Sequence, residues 1–149
     1  MIDNINLAMD DIWGRLYPYQ DYSSAKLEIV EGNYELLVRE RSGQWVRVEG
    51  LLSGGERSAV ALTLRVAISL VLTQNLSWLI LDEPTHNLDS GTVAELSRMM
   101  REHLPGLVEQ IFVITHDKEM EKAASASLYF LERDKDEDGV SKPIAHQVE

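Results

Sequence analysis

The sequence predicts an α/β fold with a mainly parallel core sheet, flanking helices and a small antiparallel β element. An opening segment of helical periodicity is followed by three short β-like runs, and strand and helix patterns then alternate to the end. The chain has 149 residues, about one domain's worth, and its 44% of hydrophobic residues can form a core. We expect three parts: a helix over 1–20, a β meander over 21–50 and an α/β lobe over 51–149.

The first half supplies the helix and the meander. The helix, Ile2–Tyr19, has an apolar stripe at spacings of three and four, and Pro18 lies near its end. The stripe consists of Ile5, Met9, Ile12, Trp13 and Leu16. Turns at 31–33 and 42–43 separate the β-like runs 26–30, 34–39 and 45–48, which predicts an antiparallel meander.

The second half alternates between helices and strands. A helix from Glu56 to about Leu72 is apolar on most sides, so we expect it to be buried. The continuous apolar run Trp78–Leu81 predicts a strand buried on both faces. The remaining predicted elements are a helix over 90–104, a strand over 111–114, a short helix over 117–125, strands over 128–131 and 140–148, and a solvated turn over 134–139.

Charge and composition exclude several classes of function. The net charge is −11, from 14 basic and 25 acidic residues, so this chain alone is a poor general DNA-binding surface. There is no cysteine, which excludes a disulfide framework and thiolate metal ligands. The apolar runs are shorter than the ~20 residues of a membrane span, and the acidic first residues do not resemble a signal peptide. We expect no membrane association and a cytoplasmic protein.

The acidic pair Asp82 and Glu83 ends a predicted apolar strand. Ligands of open α/β sheets bind beyond the carboxyl ends of the strands. Two adjacent acids there can divide the work of phosphoryl transfer: Asp82 would hold Mg²⁺, directly or through water, and Glu83 would polarise the attacking water. Taken alone, the pair is better explained as a turn with two solvated acids than as a catalytic site.

Two loops add candidate ligands. Ser53-Gly54-Gly55-Glu56-Arg57 opens a helix, where free amides, the helix dipole and close backbone approach favour phosphate. His116 follows the strand 111–114 and can donate a hydrogen bond to a γ-phosphate or to the attacking water. Each loop also has a simpler explanation: Ser53 would be an ordinary N-cap, and His116 a surface residue. A further candidate, Asp89 in Asn87-Leu88-Asp89, is equally explained as the N-cap of the next helix.

The order and spacing of these motifs over residues 52–131 resemble those of ABC ATPases. The segment Ser53–Arg57 looks like the family's signature motif, and residues 79–83 resemble its Walker B strand. Residues 87–89 resemble its D-loop, and His116 resembles its switch histidine. No glycine is followed by lysine, so the P-loop pattern is absent. Together these features predict the C-terminal lobe of a split ABC-type ATPase head, with the opening helix as the root of a coiled coil.

The residues after the signature narrow the resemblance to SMC-like chromosome and repair ATPases. Asp82-Glu83-Pro84-Thr85 followed by Asn87-Leu88-Asp89 looks most like the DNA double-strand-break repair ATPase that pairs with an Mre-type nuclease. The resemblance implies ATP and Mg²⁺ as cofactors. The partners that it implies are the N-terminal P-loop lobe, a second identical head, the Mre-type nuclease, and DNA, which would be bound through the full complex.

The same resemblance assigns roles to individual residues. It implies that ATP holds two heads together through the signature of one head, and that hydrolysis separates them. Glu83 and His116 would be the catalytic residues, and Asp82 would be the magnesium ligand. The nucleotide would be bound by Ser53, Gly54, Gly55, Glu56 and Asp89. Arg57 and Arg65 would couple the signature motif to rotation of the lobe. Two alternatives remain: a nucleotide-gated structural dimerisation head and a fragment of an ABC transporter motor.

Overall fold

The computed structural model describes residues 1–72, 78–125, 127–132 and 141–147. The α-helices are α1 (Ile2–Leu16), α2 (Gly54–Leu72) and α3 (Ser90–Glu102), and two 3-10 helices span Leu104–Gly106 and Lys118–Ala123. The strands are β1 (Tyr22–Val30), β2 (Asn33–Glu40), β3 (Trp45–Arg47), β4 (Trp78–Asp82), β5 (Gln110–Ile114), β6 (Ser127–Glu132) and β7 (Lys142–Gln147).

The strands form three sheets in this part of the chain. β1, β2 and β3 make the predicted antiparallel meander, β4 and β5 pair in parallel, and β6 pairs with β7 antiparallel. The predicted mixed α/β class is confirmed, and its parallel portion consists of β4 and β5 among the described residues. The predicted turn 134–139 lies outside those residues.

Two helix boundaries differ from the prediction for local reasons. α1 ends at Leu16 because Tyr17 is extended, at φ −97° and ψ 106°, which suits the residue before a proline. α2 begins at Gly54, two residues earlier than predicted, because Ser53 and Glu56 cap its first turn. Asp117 caps the 3-10 helix that follows it, as predicted, by accepting from the amide of Glu119.

The core forms where α1 meets α2, α3 and the meander. The apolar stripe predicted on α1 is buried in full, and Trp13 is 1% exposed. The indole of Trp13 donates to the carbonyl of Tyr22 at 3.1 Å, and its ring stacks on Tyr17 with centroids 4.4 Å apart. The opening helix is therefore part of the same core as the α/β lobe and the meander.

The prediction that β4 is buried on both faces is wrong. Its residues alternate: Leu79 and Leu81 are buried, whereas Trp78 is 61% and Ile80 59% exposed. Its neighbour β5 also exposes one face, which carries Phe112 and Ile114. An apolar run alone cannot show whether a second layer covers the strand.

α2 is also less buried than its apolar composition predicted. Its buried residues form one face, and Arg57 and Arg65 are both exposed. The last turn is partly open, with Leu72 57% exposed. No helix within the described ranges combines the length and apolarity of a membrane span.

Replacing Trp13 by Ala tests the role of α1 in the core. We expect a loss of about 3–5 kcal/mol in the free energy of unfolding, because the change removes a buried ring and its hydrogen bond. Leu7→Ala on the same helix is the control: Leu7 is 72% exposed, so the change should stay within about 0.5 kcal/mol. Urea denaturation followed by circular dichroism measures both, and equal losses would show that α1 is not anchored by its buried stripe.

Candidate functional site

The catalytic candidates Glu83 and His116 meet where the parallel strands end. Asp82 pairs with Ile114 at the end of the β4–β5 ladder, and the amide of Glu83 continues the contact by donating to the carbonyl of Ile114 at 2.8 Å. His116 lies two residues beyond β5, and its Nδ1 is 3.0 Å from Oε1 of Glu83. The parallel register therefore brings together two residues that are 33 positions apart.

Two threonines support this pair, and motif reasoning did not assign them a role. The hydroxyl of Thr115 lies 3.4 Å from Oε2 of Glu83 and 3.4 Å from the hydroxyl of Thr85, and it accepts from the amide of Asp117 at 3.1 Å. Thr85 is buried, at 7% exposure. The sequence did hold a clue to both, since Thr115 directly precedes His116 and Thr85 lies two residues after Glu83.

The contact between Glu83 and His116 changes the proton affinity of both side chains. The hydrogen bond from His116, followed by its charge, lowers the pKa of Glu83. The hydrogen bond to Glu83, followed by its charge, raises the pKa of His116. Both side chains are accessible, with 83% of the His116 side chain exposed, so the pair is open to a substrate and contributes little to stability.

The loop after β4 holds Glu83 in an uncommon backbone conformation. Glu83 has φ 44° and Asn87 φ 63°, in the left-handed region that residues other than glycine seldom occupy. Amides at 86 and 88 donate back to carbonyls at 83 and 85 and form two successive turns. Strained residues cluster at functional sites, where surrounding contacts hold them in place.

Asp82 is the last residue of β4 and is exposed beside Glu83. Its carboxylate has the hard oxygen ligands that Mg²⁺ prefers. Within the described residues no group of three or more acid or His side chains could hold a metal ion. A magnesium ion at Asp82 would therefore need further ligands from a nucleotide, water or another protein segment.

Ser53 and Glu56 form a reciprocal capping box at the start of α2. The amide of Ser53 donates to Oε2 of Glu56 at 2.6 Å, and the amide of Glu56 donates to the hydroxyl of Ser53 at 3.3 Å. The Ser-x-x-Glu spacing carried this signal in the sequence. Both side chains thus have a structural role, and their predicted role in nucleotide binding stays a prediction.

The two signature glycines have different surroundings. A Cβ atom on Gly55 would lie 2.9 Å from the backbone oxygen of Asn87, so glycine permits the start of α2 to approach the 83–89 loop. A Cβ atom on Gly54 would meet nothing within 4 Å. Gly55 is therefore needed for internal packing, whereas Gly54 faces open space.

Asp89 is the N-cap of α3, and it also contacts the end of the opening segment. Its carboxylate accepts from the amides of Gly91 and Thr92 at 2.9 and 3.1 Å, and from the hydroxyl of Tyr19. Burial raises the pKa of Asp89, but the hydrogen bonds from Tyr19 and Thr92 outweigh it and leave that pKa lowered. The cap is established, and nucleotide binding by Asp89 stays a prediction.

The signature loop and the 87–89 segment line one open groove of about 780 Å³. Two of its other lining residues, Tyr19 and Arg41, were not identified from the sequence, because they belong to the segment after α1 and to the meander. Arg41 donates to the carbonyl of Gln20 at 2.8 Å. The structure thus places the predicted residues in two clusters, one around Glu83 and one along this groove.

The predicted coupling residues Arg57 and Arg65 are exposed on α2. Neither forms an ion pair with another described residue. The helix was expected to be buried, but only one face of α2 is covered, and these two arginines lie outside that face. Their role in coupling stays a prediction.

Archaeal Rad50 ATPases are homologues of this chain. It is 43% identical over 102 residues to the DNA double-strand break repair Rad50 ATPase of Sulfolobus acidocaldarius and 40% identical over 112 residues to that of Halobacterium salinarum. The matches cover 68% and 71% of the chain but 11% and 12% of those relatives. The DNA repair protein rad-50 of Caenorhabditis elegans is 26% identical over 92% of the chain and is matched over 12% of its own length. No protein-family model matches.

Solved SMC head structures share the fold. A structure from work on ATP-driven dimerization and DNA-stimulated activation of SMC ATPases superimposes with a TM-score of 0.78, at 23% identity, over 98% of this chain and 85% of that one. An SMC head bound to the C-winged helix domain of ScpA gives a TM-score of 0.76, at 24% identity, over 99% of this chain and 44% of that one. The chain is thus homologous to a segment of the Rad50 ATPases and has the fold of SMC heads, which confirms the resemblance predicted from the motifs.

Glu83→Gln is expected to lower the pKa of His116. The Glu83 anion favours the imidazolium, and the neutral amide does not. In the unsubstituted chain the pair contributes stability between the ordinary pKa values of Glu and His. That contribution is lost as the pH falls through the lowered pKa of Glu83 or rises through the raised pKa of His116.

Titration of the His116 ring protons by NMR measures this change. Glu119→Gln is the control, since Glu119 pairs with Lys122 and not with the imidazole. If the pKa of His116 is the same in the Glu83→Gln variant, the two side chains do not interact in solution.

Proposed function

We propose that this chain is the C-terminal lobe of a split ATPase head that acts in DNA double-strand break repair. It hydrolyses ATP when joined with an N-terminal lobe that supplies the P-loop. The observation that carries the proposal is the Glu83–His116 pair, which lies exposed at the carboxyl ends of two parallel strands. The repair role rests on the archaeal Rad50 homologues, of which the chain spans about one tenth.

The exposed face of the β4–β5 sheet supports an N-terminal lobe as the first partner. Trp78, Ile80, Phe112 and Ile114 leave four large apolar side chains accessible on adjacent strands, and Trp78 and Phe112 contact each other edge to face at 5.6 Å. Parallel sheets are normally covered on both faces, and apolar patches of this kind mark interaction surfaces. A lobe that covers this face would also bring its P-loop near the ends of β4 and β5.

In the joined head, the described side chains would divide the work of hydrolysis. Glu83 would orient and polarise the attacking water, since its lowered pKa keeps it ionised at neutral pH. His116 would hold Glu83 in position and donate a hydrogen bond toward the γ-phosphate. Asp82 would hold Mg²⁺ together with the nucleotide, and the ion would supply charge stabilisation for the transferred phosphoryl group.

The groove cluster is suited to a nucleotide held by a second, identical head. Gly54 and Gly55 are the first residues of α2, where amides have no intrahelical acceptor, and open space surrounds Gly54. The helix dipole favours an anion there. We propose that ATP bound to one head docks on the Ser53–Gly55 segment of the other, so that ATP drives head dimerisation and hydrolysis releases it.

The homologues are the basis of a proposal for the wider assembly. Because those relatives are repair ATPases by name, we propose an Mre-type nuclease and DNA as partners of the full complex. The net charge of −11 supports DNA contact through other parts of that complex rather than through this lobe alone. A cytoplasmic, nucleoid-associated location accompanies this role.

Glu83→Gln in the head assembled from this chain and its N-terminal lobe should abolish ATP turnover and stabilise the ATP-bound dimer. The amide keeps the shape of the side chain but cannot polarise water, so the loss of rate should be at least about 100-fold. Phosphate release and size-exclusion chromatography with Mg-ATP measure the two effects. Glu109→Gln, an exposed acid just before β5, is the control. Normal ATP turnover in the Glu83→Gln variant would show that Glu83 does not polarise the attacking water.

Ser53→Arg should block ATP-driven association of two heads and leave ATP binding by one head intact. The larger side chain would fill the space at the start of α2 where a phosphate docks. Loss of the cap should cost only about 1 kcal/mol in stability. Ser23→Arg, on the exposed side of β1, controls for the added charge. A destabilised lobe that still dimerises normally with ATP would show that Ser53 is only a cap.

A further inference from the structure

Both ends of α3 are attached to the segment that opens the chain. At its N-terminus the hydroxyl of Tyr19 donates to the carboxylate of Asp89, across 70 positions of sequence. At its C-terminus Nε2 of the capping residue His103 lies 3.1 Å from Oδ2 of Asp11 on α1. α3 is thus held against α1 by polar contacts as well as by packing.

The contact with Tyr19 is at the centre of the N-cap. One carboxylate oxygen of Asp89 accepts from Tyr19 and from the amides of Gly91 and Thr92, and the other accepts from the hydroxyl of Thr92 at 2.8 Å. A Cβ atom on Gly91 would lie 2.9 Å from the Tyr19 hydroxyl oxygen. Glycine at this position therefore permits the ring to approach.

Tyr19 is itself anchored to the core. Its ring packs edge to face on Tyr17 at 5.2 Å, and Tyr17 stacks on the buried Trp13. Although Tyr19 is 48% exposed, its position is set by this aromatic row at the end of α1. A displacement of α1 would therefore be transmitted to Asp89, six residues from Glu83.

We propose that Tyr19 is a positioning residue of the ATPase site, whose hydroxyl fixes Asp89 and with it the 83–89 loop relative to α1. The ATPase part of this inference rests on the function proposed above. Tyr19 touches no reacting atom in this scheme. It acts through Asp89, which ends the loop that begins at Glu83.

Tyr19→Phe in the full-length protein tests the inference, because it removes the hydroxyl and keeps the ring. We expect amide exchange in peptides covering 87–92 to become about fivefold faster, as for the loss of one hydrogen bond, and exchange in α1 and β4 to stay unchanged. We also expect kcat to fall about fivefold with little change in KM for ATP. Tyr34→Phe, at a 68% exposed ring on β2, is the matched control and should alter neither measurement.

Asp89→Asn and the double variant complete the test. If Tyr19 acts through Asp89, the loss of kcat in the double variant, expressed as a free energy, should be smaller than the sum of the losses in the two single variants. Additive effects, or unchanged exchange at 87–92 in Tyr19→Phe, would overturn the inference. If the unsubstituted protein does not hydrolyse ATP, the proposed function fails, whereas faster exchange at 87–92 would still support the anchoring of Asp89 by Tyr19.

Discussion

The parallel pairing of β4 with β5 is the constraint on which the cluster of Glu83, His116 and Thr115 depends. The ladder runs from Trp78 to Asp82, and the amide of Glu83 extends it to the carbonyl of Ile114. Glu83 has a left-handed backbone conformation at this point, and its carboxylate lies 3.0 Å from Nδ1 of His116. A shift of one residue in this register would place different side chains at the end of the sheet, because neighbours on a strand point to opposite faces.

A second constraint joins the two clusters to the opening helix. α1 packs against α2, which begins at the signature glycines, and against α3, which begins at Asp89. Gly55 in turn lets the start of α2 approach the backbone of Asn87. The elements that carry the two clusters therefore share one core. Movement of one of these helices would shift residues in both clusters.

Much of the architecture was predictable because it depends on local patterns. The stripe on α1, the turns of the meander and the caps at Ser53 and Asp117 are short-range signals, and each element appears within a few residues of its predicted place. The wrong predictions concern burial. An apolar run specifies a strand, but whether both of its faces are covered depends on segments far away in sequence or on another protein segment.

The sequence by itself determined the secondary-structure order and the residue types available for phosphate chemistry, since both follow from spacing along the chain. Only the tertiary structure decided which of those residues meet. It paired Glu83 with His116, added Thr115 to that pair, and linked Tyr19 to Asp89 over 70 positions. Contacts of this kind depend on strand register and helix packing, which join distant segments and leave no periodic signal in the sequence.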